Sequence, residues 1–142
     1  MSPTPNFPRP DDALLALRPT ITTIEATEPG TVGYFLHATL RPVLKLQNDL
    51  LLLLVADFVR DHHLRLAPDL AGQQQQLAEL LRRNTKLRYS LVGLVTGQFT
   101  TAEYAFYRPH RAELNRRLLE LAQRRVLDQT AAVAKLATAG EL

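Results

Sequence analysis

The sequence predicts an all-α fold, a single compact bundle of five or six helices behind a flexible proline-rich N-terminal tail. Two observations carry this expectation. From Thr31 onward apolar residues recur at the 3.6-residue period of amphipathic helices, and no alternating run suggests a paired strand. Four of the nine prolines, Pro3, Pro5, Pro8 and Pro10, fall in the first ten residues, where missing N–H donors and fixed φ angles oppose any regular element. The chain therefore divides into an N-terminal flexible or extended segment, residues 1–30, and a helical bundle domain, residues 31–142. Within the first segment, residues 13–17 form a short apolar patch. The β-branched stretch ITTIEA, residues 21–26, reads as an extended segment laid against the core.

The helices follow from their punctuation. Thr31 is placed to cap a short helix over residues 31–40. Pro42 then either opens a long helix over residues 42–66 in its tolerated first turn or kinks one continuous helix. Pro68 separates this helix from a third over residues 73–83, and Asn84 caps a fourth reaching Gln98. Thr100 and Glu103 have the capping-box spacing, in which hydroxyl and carboxylate each satisfy a free backbone N–H. Tyr104 and Tyr107 lie on that short helix. Pro109 opens a final helix to at least Val126, which the alanine-rich stretch 130–136 extends. The long helix carries Val43, Leu44, Leu50, Leu51, Leu54, Val55, Phe58 and Val59 over more than half its circumference, so it is expected at the centre of the bundle. On the fourth helix Ser90, Gly93 and Gly97 make a small-residue face suited to close helix packing.

Composition removes several chemistries. With no cysteine among 142 residues, disulfides, thiolate nucleophiles, cysteine-ligated zinc and iron–sulfur clusters are excluded. The only serines are Ser2 and Ser90, and neither lies in a nucleophile elbow; no glycine-rich phosphate loop follows a strand. Asp57, Asp61, His62 and His63 cluster in sequence, but adjacent histidines diverge by about 100° on a helix. The Glu-x-x-His spacing of di-iron bundles is absent as well, so no metal or cofactor is expected. No basic-then-apolar leader is present, and the longest purely apolar run, residues 50–56, is far short of the roughly 20 residues that span a bilayer. A cytoplasmic protein without membrane contact is the expectation.

Two groups of residues are candidate sites. Gln47, Asn48, Arg88, Arg111, Asn115 and Arg125 fall on helical arcs that are otherwise apolar. An unpaired buried amide or guanidinium costs on the order of 1–3 kcal/mol, so these groups are expected to pair with one another or to line an opening. The net charge is only +3, but residues 82–125 hold ten basic groups against Glu103, Glu113 and Glu120. Within this basic half Arg116, Arg117 and Arg124 share one helix face with His110 and form a candidate basic surface.

The strings R-P-x-L-K-L-Q-N-D-L at residues 41–50 and G-Q-F-T-x-x-E-Y-x-x-Y at residues 97–107, with ELNRRLLELAQRR at residues 113–125, carry a resemblance. Over residues 40–126 the chain resembles a family of short all-helical bacterial proteins of unknown function, some members of which carry the label glyoxalase. The resemblance implies an all-helical fold and brings no catalytic residue with it. Metal-dependent glyoxalases place His and Glu ligands on paired βαβββ modules, for which this chain has neither the strands nor suitably distributed ligands. The leading expectation is an interaction or regulatory module that binds a protein partner, with RNA or another acidic partner on the basic half and self-association left open. The alternative is an enzyme or small-ligand binder that uses the polar groups inside the bundle.

Overall fold

A computed structural model describes residues 9–20 and 28–139. Every regular element among them is helical: α1 (Asp11–Ala16), α2 (Val32–Phe35), α3 (Arg41–Leu46), α4 (Asn48–Asp61), α5 (Leu70–Arg83), α6 (Thr85–Thr96), α7 (Thr101–Tyr107), α8 (Arg111–Asp128) and α9 (Thr130–Thr138). A π-helical turn, Leu36–Leu40, joins α2 to α3, and a 3-10 turn, Arg108–His110, joins α7 to α8. No helix among the described residues is long and apolar enough to cross a membrane.

The helix starts lie where short polar side chains can take up free amides. Gly30 has φ 85, a left-handed backbone that suits glycine, and turns the chain into α2. There the Thr31 hydroxyl accepts the Tyr34 N–H at 3.1 Å. The Asp69 carboxylate accepts from Gly72 N–H at 3.0 Å, so α5 starts at Leu70 and not at Gln73. Asn84 accepts from Leu87 N–H at 2.8 Å, and Thr100 with Glu103 forms the complete capping box.

Pro42 does not open a new helix, because the chain is helical from Val32 to Leu46. Proline has no N–H for the carbonyl four residues back, and its ring crowds that carbonyl; the wide turn at 36–40 immediately precedes it and relieves this conflict. The expected long helix is instead broken at Gln47 (φ −91, ψ 7) and ends at Asp61. A matching break at Gln129 (φ −119, ψ 29) separates α8 from α9. Helix α9 packs along α4 and runs the same way. Asn48 meets Gln129 where both helices start, and Val59 and Arg60 line a cavity with Ala137 and Thr138 where both end. The α5–α6 pair closes over α8, α9 and α4.

The core is built mainly from apolar helix stripes: Val43 and Leu44 on α3, Leu51, Val55 and Val59 on α4, Leu87, Leu91 and Val95 on α6, and Leu114, Leu118, Ala122 and Val126 on α8. Helix α4 is not enclosed on all sides as expected. Leu50 and Leu53 are 52% and 43% exposed, because neighbours cover only its opposite flank. Nor is the small-residue face of α6 a packing surface: Gly93 and Gly97 are exposed, and a Cβ at Gly93 would meet nothing within 4 Å.

The segment read as flexible or extended is partly built into the fold. Arg9 donates to the carbonyls of Phe99 and Gly97 at 2.9 and 3.0 Å, and Arg18 donates to that of Gln98 at 2.9 Å. Two arginines thus take three consecutive carbonyls of the α6–α7 turn. Residues 1–8, with three of the tail prolines, and the 21–26 stretch lie outside the described residues.

Candidate basic cleft

The six polar residues picked from the apolar arcs do not form one cluster. Gln47 donates to the Leu94 carbonyl of α6 at 3.0 Å, and Arg88 donates to the Leu81 carbonyl in the last turn of α5 at 3.0 Å. Both tie one helix to another's backbone. Asn115 accepts from the buried Tyr107 hydroxyl at 2.5 Å. Arg111 is exposed, with its guanidinium 5.8 Å from the Tyr107 ring and 3.4 Å from the Tyr104 hydroxyl. The helical wheel fails for Arg111 because it begins α8, where the facing neighbour is the short α7 and not the core.

Asn48 and Arg125 do meet, and the partner that joins them is Gln129. Asn48 and Gln129 form a reciprocal amide pair, with Asn48 Nδ2 donating to Gln129 Oε1 at 2.9 Å and Gln129 Nε2 donating to Asn48 Oδ1 at 2.7 Å. Arg125 Nη1 adds a 3.3 Å donation to Asn48 Oδ1. The two helix breaks are thereby fastened side by side. Gln129 carries a sequence signal only in its spacing, four residues after Arg125.

Beside this knot, α3 and its preceding π turn face α8 across a cleft of about 610 Å³. Its walls combine Leu36, His37, Arg41 and Leu44 with Leu121, Arg124, Arg125 and Asp128. On each wall residues four apart stack on one helix face: His37 with Arg41, Leu121 with Arg125, and Arg124 with Asp128. The contact between His37 Nδ1 and Arg41 Nη1 at 3.2 Å requires the ring nitrogen to accept, and it orients the guanidinium. None of Arg41, Arg124 and Arg125 has a carboxylate within ion-pair distance among the described residues. Burial, and then the nearby charge of Arg41, lower the pKa of Arg125 below its ordinary value. Arg125 stays cationic, in a place that disfavours its charge. Arg41 and His37 carry no sequence signal for this role, since nothing in the local pattern marks them as facing α8.

The three arginines read as one basic surface separate in the same way. Arg116 pairs with Glu120 at 3.1 Å, Arg117 is half-buried with its Nε closed off from solvent and unpartnered, and only Arg124 reaches the cleft. His62 donates from Nδ1 to the Phe58 carbonyl at 2.9 Å and stacks on the Phe58 ring, while His63 has a left-handed backbone with φ 51. Among the described residues no group of three or more His, Asp or Glu side chains is arranged to hold a metal ion. No protein-family model matches the chain, and no match is found among curated proteins or solved structures.

Proposed function

We propose that the chain is a binding module that takes an acidic group into the cleft between α3 and α8. The observation that carries this reading is the convergence of Arg41, Arg124 and Arg125 on one concave, partly apolar surface, with no carboxylate among the described residues paired to any of them. Like charges brought together at a half-buried site oppose folding, and an anion placed between them converts that repulsion into attraction. The cleft volume also lies within the few hundred to about 1,000 Å³ usual for ligand sites. A nucleic-acid contact on the outer face of α8 has less support, since Arg116 is neutralised by Glu120 and Arg117 is half-buried.

The test is thermal denaturation in a series of oxyanions at constant ionic strength. Saturable stabilisation is expected in the native chain, because a ligand at about 100 times its Kd adds about 2.7 kcal/mol to folding. The rise should vanish in Arg41→Gln/Arg125→Gln. Equal stabilisation of native chain and double variant contradicts the proposal.

A further inference from the structure

We infer that the ligand of this cleft is an amphiphilic oxyanion, an organic phosphate or carboxylate attached to an apolar body. The inference rests on the anion-binding reading and adds to it the nature of the rest of the ligand. The cations come from opposite walls, with Arg41 on α3 and Arg125 on α8, so an oxyanion between them is gripped from two sides. Each guanidinium has five N–H donors in a planar fork, and among the described residues a single one is engaged on each: that of Arg41 with His37 and that of Arg125 with Asn48. Both forks are therefore held in place with donors to spare.

The remaining lining differs from that of a site for a small inorganic anion. Leu36 and Leu44 on one wall and Leu121 on the other present hydrocarbon to the same cleft. Leu36 and Leu121 are only half-buried, so the cleft keeps apolar surface in contact with water. Covering such surface with a ligand's hydrocarbon is favourable, whereas an inorganic anion leaves it wet. Asp128 limits the charge the cleft can take. Its exposed carboxylate on the lining disfavours a polyanion such as a nucleic-acid backbone or a tricarboxylate, and tolerates one compact head group held by the arginines.

The experiment is calorimetric titration of the full chain with octyl phosphate and octanoate below their micellar concentrations, beside inorganic phosphate and citrate at matched ionic strength. At least one amphiphile should bind one to one, at least tenfold more tightly than either inorganic phosphate or citrate. Arg41→Gln should weaken every anion, and Leu121→Asn should weaken the amphiphiles alone. If Leu121→Asn loses its helical circular dichroism, Leu36→Asn on the opposite wall makes the same test. Arg60→Gln/Arg65→Gln, at the far end of α4 and in the connection that follows it, should leave all four affinities unchanged. Phosphate or citrate binding as tightly as the amphiphiles, with sensitivity to Arg41→Gln, overturns the amphiphile and leaves the anion site standing. No binding by any of the four probes overturns both.

Discussion

Arg18 and Arg125 are both drawn in from the surface, and they have opposite surroundings. Arg18 reaches Glu103 through two bonds, Nη1 to Oε2 at 2.5 Å and Nη2 to Oε1 at 2.6 Å, and both side chains are largely buried, at 7% and 14% exposure. Arg125 has a neutral amide and another arginine for company. An arginine neutralised by a bidentate carboxylate has little left to offer a ligand, and its role is to fasten the N-terminal segment to α7. An arginine held beside a second cation has an incomplete environment. The comparison separates structure from site within one residue type.

The largest expected effect lies on the structural side. Glu103→Gln removes the charge that pairs with Arg18, weakens the capping box on Thr100 and disturbs the 2.9 Å donation from Thr39. A loss of about 3 kcal/mol in denaturant unfolding is expected, the scale for leaving one partner of a buried pair uncompensated. The replacement Arg18→Met/Glu103→Leu should cost less than the sum of the two single changes, because it leaves no orphaned charge. A Glu103→Gln variant as stable as the native chain would break the comparison at its structural pole.

The amide knot comes next. Asn48→Leu leaves Gln129 Oε1 and the Arg125 donor unmatched and should cost roughly 1–3 kcal/mol. It also frees Arg125 on the cleft wall, so anion affinity should change with stability. A change in neither would show that the α3–α4 and α8–α9 breaks are held by packing alone.

The acid dependence sharpens the same contrast. Burial acts to raise the Glu103 carboxyl pKa, but Arg18, the Thr100 amide and the Thr39 hydroxyl together more than reverse it and hold it below its ordinary 4.5. A depressed carboxyl stabilises the fold in full above its unfolded-state pKa and loses that contribution as pH falls through the lowered folded value. Denaturation midpoints measured from pH 6 down to pH 2 should therefore fall less steeply in Glu103→Gln than in the native chain. Parallel curves would place the acid sensitivity elsewhere.

The smallest stability effects should come from Arg125→Met and Arg116→Ala. The former loses one long hydrogen bond but relieves burial of a charge and the repulsion of Arg41, so folding free energy should move by less than about 1 kcal/mol. Arg116→Ala, which removes an exposed pair with Glu120, should stay within about 0.5 kcal/mol. The two differ in binding, because Arg125→Met should lose the anion and Arg116→Ala should keep it.

Much of the fold was legible because its signals are local. The caps at Thr31, Asn84 and Thr100 and the stripe from Leu114 to Val126 depend on residues within a few positions of one another. The breaks at Gln47 and Gln129 were not legible, since glutamine has no strong preference against helix and each break is held across the bundle. The wheel found Arg125 and Asn48 out of place on apolar arcs, and it misplaced Arg111 at a helix start that packs outside the core. It had no means of finding Arg41 or His37, because the pattern along a helix does not say which other helix it will face. The cleft exists only once α3 and α8 are docked.

The central claim is that Arg41, Arg124 and Arg125 bind an oxyanion while Arg18 does not. Nitrogen-edited NMR of the arginine Nε–H groups during titration with octyl phosphate tests it most directly. Saturable shifts of the Arg41, Arg124 and Arg125 signals with one common affinity are expected, with a stationary Arg18 signal. Weak, unsaturable shifts spread over the exposed arginines, with Arg125 unmoved, would contradict it.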